Sequence, residues 1–177
     1  AMLCETNPQE VMDLSPVAHL AAIEGKVPFL NFFDGFRTSH EIQKVAVWDY
    51  ADLKEMCNME AVEAFRAHAL NPEHPAMRGS HENGDVFFQH REACNQYYNA
   101  LPAVVEKYMG KVNEKLGTNY QLFNYYGAPD ADRVIVAMGS ICDVAEEVID
   151  YMNAHGEKVG LVKVRLYRPF CSDKLVA

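Results

Sequence analysis

The stretch DRVIVAMGSICDVAEEVIDYMNAHGEKVGLVKVRLYRPF, residues 132–170, decides the fold that the sequence predicts. It begins with a short apolar run at 134–138, rich in β-branched residues, as is typical of a strand buried on both faces. A second apolar run starts at Val159 and is broken only at Pro169. Two such strands joined by a helix should be parallel, with a right-handed crossover. One βαβ unit cannot close a sheet, so neighbouring strands are expected.

The segment between these strands has the pattern of an amphipathic helix. Its apolar residues have the spacing of one buried face: Ile141, Val144, Ala145, Val148, Ile149 and Met152. Ser140 is placed to cap the helix, because its hydroxyl can accept a hydrogen bond from a free backbone N–H. Gly156 should end the helix, because glycine tolerates the left-handed conformation. The first turn holds only one glycine, Gly139, and lacks the GxGxxG spacing of a dinucleotide site.

Length, charge and hydropathy limit the class of protein. The 177 residues give room for one domain or one and a half, and 49% hydrophobic residues suffice for a core. The net charge of −9, without basic patches, argues against nucleic acid as a partner. No apolar run approaches the roughly 20 residues that cross a bilayer, and residues 1–10 do not resemble a signal peptide. A cytoplasmic chain without membrane contact is expected.

The cysteines and histidines lack metal-site spacing. Five cysteines stand singly: Cys4, Cys57, Cys94, Cys142 and Cys171. Reduced structural thiols are expected, since zinc and iron–sulfur sites need clustered ligands. Cys142 lies in the first turn of the predicted helix, where the dipole could lower its pKa. Four histidines straddle a proline-broken loop at irregular spacings, so no metal site is predicted: His68, His74, His81 and His90.

The first part of the chain predicts a helix, a buried strand and a polar loop. The helix should run from about Asn7 to Gly25, and residues 27–33 should form a buried strand. Function collects at the carboxyl ends of strands in open α/β sheets, so the loop that follows, residues 34–41, is a candidate site close to substrate or cofactor. Its candidate residues are Asp34, Arg37, Thr38, Ser39, His40 and Glu41.

The alternative role of this 34–41 loop is structural. Thr38 or Ser39 would cap a following helix, and Asp34 would form an ion pair with Arg37. A neighbouring Ser–His pair also lacks catalytic geometry unless a third group orients the histidine.

The middle of the chain predicts mainly helices. In order, we expect a short strand at 45–48, two helical stretches within 49–69, an irregular connector at 71–85, a long helix from Arg91 to about Leu116 ended by Gly117, and an apolar arm at 120–126. A domain boundary is expected between about Val45 and Asp132.

Four long motifs extend over nearly the whole chain: PFLNFFDGFRTSHEIQKV (28–45), ALNPEHPAMRG (69–79), FNYYGAPDADRVIVAMGS (123–140) and GEKVGLVKVRLYRPF (156–170). Together, and in this order, they resemble the pyruvate:ferredoxin (flavodoxin) oxidoreductases. The resemblance implies an α/β fold of parallel-sheet βαβ elements with packed helices, made of incomplete pieces of two thiamine-enzyme domains. It implies that residues 1–45 end the pyrimidine-binding domain, that 46–131 are a helical and irregular connector, and that 132–177 start a domain similar to the C-terminal domain of transketolases.

The resemblance also implies an activity for a longer parent enzyme. That parent would use thiamine diphosphate, Mg²⁺ and [4Fe-4S] clusters to decarboxylate pyruvate oxidatively to acetyl-CoA, passing electrons to ferredoxin or flavodoxin. The chain has no motif matching the family's pyruvate loop, its activating glutamate, its diphosphate and Mg²⁺ motif or its cysteine clusters. No catalytic residue is therefore carried over, no cofactor is expected on this chain alone, and the isolated chain should be inactive. Its expected partners are the remaining domains of the parent.

Two further expectations concern the isolated chain. Uncovered apolar strands predict a homodimer or swapped assembly. The alternative function is a binding module without catalysis, in which Arg165 and Arg168 contact an anionic ligand such as coenzyme A, or another subunit. An independent enzyme that uses His40 or a cysteine is least favoured, because no partner group lies at a supporting spacing.

Overall fold

Two small sheets alternate with helices in the computed structural model, which describes residues 1–77, 79 and 81–176. In chain order the elements are β1 (Met2–Cys4), α1 (Pro8–Gly25), β2 (Leu30–Phe32), α2 (Arg37–His40), α3 (Tyr50–Met56), α4 (Met59–Ala67), α5 (Gly84–Ala93), α6 (Asn95–Leu116), β3 (Phe123–Gly127), β4 (Arg133–Ala137), α7 (Ile141–Ala154), β5 (Val159–Val164), β6 (Leu166–Arg168) and α8 (Ser172–Val176). No helix within the described residues is both long and apolar enough to span a bilayer.

The first sheet has the strand order β2-β1-β6. β1 pairs in parallel with β2 and antiparallel with β6, and its residue Met2 lies opposite both Leu30 and Arg168. The sequence did not predict β1, which has only three residues. The expected buried strand at 27–33 shrinks to β2, whose Leu30 is 55% exposed, because β2 lies at the sheet edge.

The second sheet has the order β3-β5-β4 and contains the predicted βαβ unit. β4 and β5 are parallel and joined by α7, as expected, and β3 supplies an antiparallel neighbour. Gly156, at φ +92°, follows the end of α7. The expected burial of β4 is wrong: Val134, Ile135 and Val136 are 47%, 51% and 59% exposed. β4 is an edge strand with no further neighbour in the described part of the chain.

The main core lies between α1 and α6. Its buried residues include Leu14, Val17 and Ala21 of α1 and Leu101, Val105, Tyr108 and Val112 of α6. Gly25 lets the end of α1 approach α6, since a Cβ there would collide with Leu101. The second sheet and α7 share a much smaller core, formed by Cys142, Ile149, Val159 and Leu161. Most of the apolar burial therefore belongs to the helical part.

The helices follow local sequence signals. Asn7 caps α1 by accepting a hydrogen bond from the Glu10 N–H at 3.0 Å, and Pro8 occupies the first turn. The pair α3 and α4 confirms the two helices expected within 49–69. The helix expected from Arg91 begins earlier, at Gly84, within the expected irregular connector, and is divided at Cys94 into α5 and α6. Gly117 ends α6 at φ +69°.

The short strand expected at 45–48 is absent, and this described segment is irregular. The Trp48 indole N–H instead donates to the Met12 carbonyl at 3.0 Å, which holds the segment against α1. The apolar arm forms β3 over part of its length.

Candidate functional site

The 34–41 loop protrudes beyond the carboxyl end of β2. Its exposed polar side chains are Arg37, Ser39, His40 and Glu41, whereas Thr38 is buried. Ser39 Oγ lies 2.9 Å from His40 Nδ1, and the His40 ring contacts Phe36 with centroids 5.0 Å apart. No acidic group orients the imidazole within the described residues, so the pair lacks the third member of a nucleophile–base arrangement.

Asp34 contacts the start of α7 and not Arg37 of its own loop. Its Oδ2 accepts a hydrogen bond from the Ser140 backbone N–H at 3.0 Å and another from the Ser140 hydroxyl. The expected Asp34–Arg37 ion pair is not formed, and α2, whose N-cap residue is Phe36, has no side-chain cap from Thr38 or Ser39. The expected capping role of Ser140 is also wrong, because its hydroxyl donates to Asp34. The loop is therefore joined to the start of α7.

A buried ion pair also joins an early and a late part of the chain. Arg165 Nη2 donates to Glu10 Oε1 at 2.6 Å, and Nη1 donates to Asn124 Oδ1. The guanidinium also lies 5.1 Å from the Tyr120 ring centroid. Arg165 is only 3% exposed, so its positive charge is balanced by Glu10 within the chain.

The two arginines considered for anion binding are therefore in different settings. Arg168 is exposed and stacks over the Tyr167 ring at 4.5 Å, while Arg165 is enclosed. The structure does not open Arg165 to a ligand from solvent, because its side chain is buried, and two of its nitrogens donate to Glu10 and Asn124. Only Arg168 remains available for the anion-binding hypothesis.

Glu5, which directly follows β1, is the residue that the sequence reasoning missed. Its side chain is fully buried, and neither carboxylate oxygen has a hydrogen-bond partner among the described residues. Burial, followed by the nearby negative charge of Glu10, raises the pKa of Glu5 to about 9. Glu5 is therefore protonated at neutral pH. An acid placed just after an apolar strand, at its carboxyl end, was the available signal.

Two of the cysteine thiols, those of Cys4 and Cys142, are buried. Burial raises the pKa of Cys142 to about 11, so the helix dipole does not produce the lowering that its position allowed. Burial, then the charges of Glu5 and Asp34, raise the pKa of Cys4 to about 12.

The histidines make local contacts. His68 Nδ1 lies 2.6 Å from the Ala64 carbonyl oxygen, and His90 Nδ1 lies 2.5 Å from Glu82 Oε1. Across residues 1–77, 79 and 81–176, no group of three or more His, Cys, Asp or Glu side chains could hold a metal ion.

Comparison with known proteins finds a matching family model for each of two segments of the chain. Residues 1–110 match the family model described as pyruvate flavodoxin/ferredoxin oxidoreductase, thiamine diphosphate-binding, and residues 131–177 match the pyruvate:ferredoxin oxidoreductase core domain II. The chain belongs to the pyruvate flavodoxin/ferredoxin oxidoreductase family. This confirms the resemblance carried by the four motifs.

The curated relatives in this family are much longer. A pyruvate-flavodoxin oxidoreductase of Enterobacter agglomerans is 59% identical over 96% of this chain and 14% of its own length. The pyruvate:ferredoxin oxidoreductase of Moorella thermoacetica is 55% identical over 98% of this chain and 15% of its own. A pyruvate dehydrogenase [NADP(+)] of Cryptosporidium parvum is 48% identical over 99% of this chain and 9% of its own length. The chain spans about one seventh of the first two relatives.

A solved structure shares the fold. It is a 2-oxoglutarate:ferredoxin oxidoreductase from Magnetococcus marinus with 2-oxoglutarate, coenzyme A and succinyl-CoA bound, and it matches with a TM-score of 0.52 at 16% identity. The match covers 98% of this chain and 32% of that one. The mixed α/β architecture is thus confirmed at the level of fold.

The described residues do not by themselves fit thiamine diphosphate. Activation of the pyrimidine ring needs a carboxylate that the cofactor can reach, and Glu5 is enclosed by the chain's own atoms. The diphosphate needs a metal ion, and the described part of the chain offers no such cluster. No residue here is assigned a contact with the cofactor.

Proposed function

We propose that this chain is the junction between the thiamine-binding part and core domain II of a pyruvate:ferredoxin/flavodoxin oxidoreductase. The parent would decarboxylate pyruvate oxidatively to acetyl-CoA and pass the electrons to ferredoxin or flavodoxin. The observation that carries the proposal is β6: this strand of the 131–177 segment pairs with β1 of the 1–110 segment. The two family segments therefore share one sheet.

The cofactors belong to the rest of the parent. Thiamine diphosphate, Mg²⁺ and [4Fe-4S] clusters would be held by domains outside these residues, as would coenzyme A, and the isolated chain would be inactive. Relatives named for flavodoxin, ferredoxin and NADP⁺ all share this segment at 48–59% identity, which favours an acceptor site elsewhere in the parent. A cytoplasmic location is part of the proposal, since the five cysteines are unpaired.

A direct assay tests this assignment. The purified chain, supplied with pyruvate, coenzyme A, thiamine diphosphate and Mg²⁺, should not reduce an electron acceptor, whereas a full-length relative under the same conditions should. Pyruvate-dependent reduction by the 177-residue chain would contradict the proposal.

Apolar surfaces support the other domains of the parent as partners. A groove of about 530 Å³ between α1, α4 and α6 is lined by residues such as Ile23, Val27 and Phe65. A second, of about 690 Å³, lies along α1 beside Val47 and Trp48. Both grooves offer apolar surface against which another domain can pack. The domain limits proposed for the parent are residues 1–45, 46–131 and 132–177.

The edge of β4 supports a homodimer of the isolated chain. Antiparallel pairing of two β4 strands about Ile135 would place Val134 opposite Val136 and Arg133 opposite Ala137. No like charges would face each other directly, and one continuous sheet would pair the free backbone groups of both edge strands. A monomer at micromolar concentration by light scattering, with cooperative melting, would contradict this assembly.

The second candidate function is a binding module for coenzyme A or another subunit. Arg168 favours it, because its guanidinium is exposed and stacked on Tyr167, leaving donors for a phosphate. Calorimetric titration with coenzyme A should then give binding that Arg168→Ala removes and Arg133→Ala, on the exposed β4, retains. Absence of binding heat would leave the junction role as the sole function.

A further inference from the structure

Helix α7 begins without a cap from its own segment. Its N-cap residue, Ser140, has helical dihedral angles of φ −62° and ψ −20° and makes no side-chain bond to the first turn. Both the N–H and the hydroxyl of Ser140 donate to Oδ2 of Asp34, 106 residues earlier. A carboxylate at this end of a helix accepts a hydrogen bond from a free N–H and interacts favourably with the positive end of the helix dipole.

Gly139 is shaped to admit this carboxylate. Its φ of +80° lies where side-chain-bearing residues are strained. A Cβ at this position would also overlap Oδ1 of Asp34. The backbone before α7 therefore leaves room for the Asp34 side chain.

The rest of the 34–41 loop has little else to hold it. Phe36 is 82% exposed and has a φ of +63°, a strained value for a residue with a side chain. Arg37, Ser39, His40 and Glu41 are exposed as well. Buried Thr38 and the half-buried Asp34 are the two points where the loop enters the fold.

We propose that Asp34 is a positioning residue that couples the 34–41 loop to α7. When Asp34 is seated, the loop is held at its base and the first turn of α7 is capped; when it is released, both lose order together. The position of the loop and the start of core domain II then depend on each other. This coupling would hold whatever reaction the parent catalyses.

Hydrogen exchange and limited proteolysis of the intact chain test the coupling. In Asp34→Ala, exchange of the Ser140 amide and of the first turn of α7 should rise about tenfold, the effect of losing a cap. Tryptic cleavage after Arg37 should rise in the same variant, because the loop loses its anchor.

Asp49 offers a matched control. It caps its own helix, α3, by accepting from the Ala51 N–H at 2.8 Å. Asp49→Ala should raise exchange at the start of α3 and leave both Ser140 and the Arg37 cleavage rate unchanged. If it moves those readouts as much as Asp34→Ala does, the effect is general loosening and the proposal is wrong.

Two further variants keep the test decisive. Ser140→Ala removes only the hydroxyl bond, so it should give a smaller effect, and the double variant should match Asp34→Ala alone. Additive effects would overturn the coupling. If Asp34→Ala does not fold, Asp34→Asn removes the charge but keeps an acceptor and should show an intermediate rise in both readouts. A rise in only one of the two readouts in Asp34→Asn would refute the proposal.

Discussion

Replacement of Glu5 by glutamine should make this chain more stable at neutral pH and flatten the dependence of its stability on pH. Glu5 is fully buried, and its carboxylate oxygens have no partner among the described residues. A neutral amide of nearly the same shape can occupy this space without having to take up a proton when the chain folds. The substitution therefore removes a titration while keeping the packing.

The sign follows from the two pKa values of Glu5. Its pKa is about 4.5 in the unfolded chain and is raised to about 9 in the folded one. Between these values the folded state keeps a proton that the unfolded state has lost, so the free energy of unfolding falls as pH rises. The slope is at most about 1.4 kcal/mol per pH unit. Between pH 5 and pH 7 the unsubstituted chain should lose about 2 to 3 kcal/mol more than Glu5→Gln.

Urea unfolding at pH 5, 6, 7 and 8, followed by circular dichroism, measures this difference. Glu24→Gln is the control of opposite sign. Burial alone would raise the pKa of Glu24, but hydrogen bonds from Lys107, Tyr108 and Asn58 together lower it to about 2. Its stabilisation is present above pH 4.5, so Glu24→Gln should destabilise the chain at pH 7. Parallel pH profiles for Glu5→Gln and the unsubstituted chain would show that Glu5 titrates normally, and would refute the reasoning.

Three other variants or treatments give clear expectations. Ile135→Lys places a charge on the free edge of β4 and should turn a dimer into a monomer in sedimentation velocity; an unchanged dimer would place the contact elsewhere. Glu10→Ala leaves the buried Arg165 without its anion and should cost about 3 kcal/mol in urea unfolding, whereas Glu10→Leu combined with Arg165→Met should cost less. Cys142 should resist iodoacetamide at pH 8 while the partly exposed Cys94 reacts, as mass spectrometry would show; equal rates would contradict its burial.

Local signals predicted the helices well. Asn7 and Pro8 mark the start of α1, and Gly117 and Gly156 follow the ends of α6 and α7. These positions depend on the backbone preferences of a few neighbouring residues, which a sequence displays directly. The parallel pairing of β4 and β5 was predictable for a similar reason, since a helix of this length joins them.

Contacts between distant residues were not predictable in this way. Ser140 has the appearance of a helix cap, and only the position of Asp34 shows that its hydroxyl is used elsewhere. Arg165 has the appearance of a ligand-binding residue until Glu10 is placed beside it. The apolar run of β4 correctly indicated a strand, but burial of that strand also needs a neighbour on its free edge, which the described residues do not supply. The candidate 34–41 loop was located correctly as a loop, and its role remains a prediction.

The pairing of β1 with β6 also bears on how such a chain folds during synthesis. Met2 lies opposite Arg168, so the sheet begun by β1 and β2 stays open until the ribosome has added more than 160 residues. At about 5 to 20 residues per second, that delay is roughly 8 to 30 s. Throughout it, one edge of β1 is available to wrong partners, and a ribosome that stalls between the two strands leaves a nascent chain prone to aggregation.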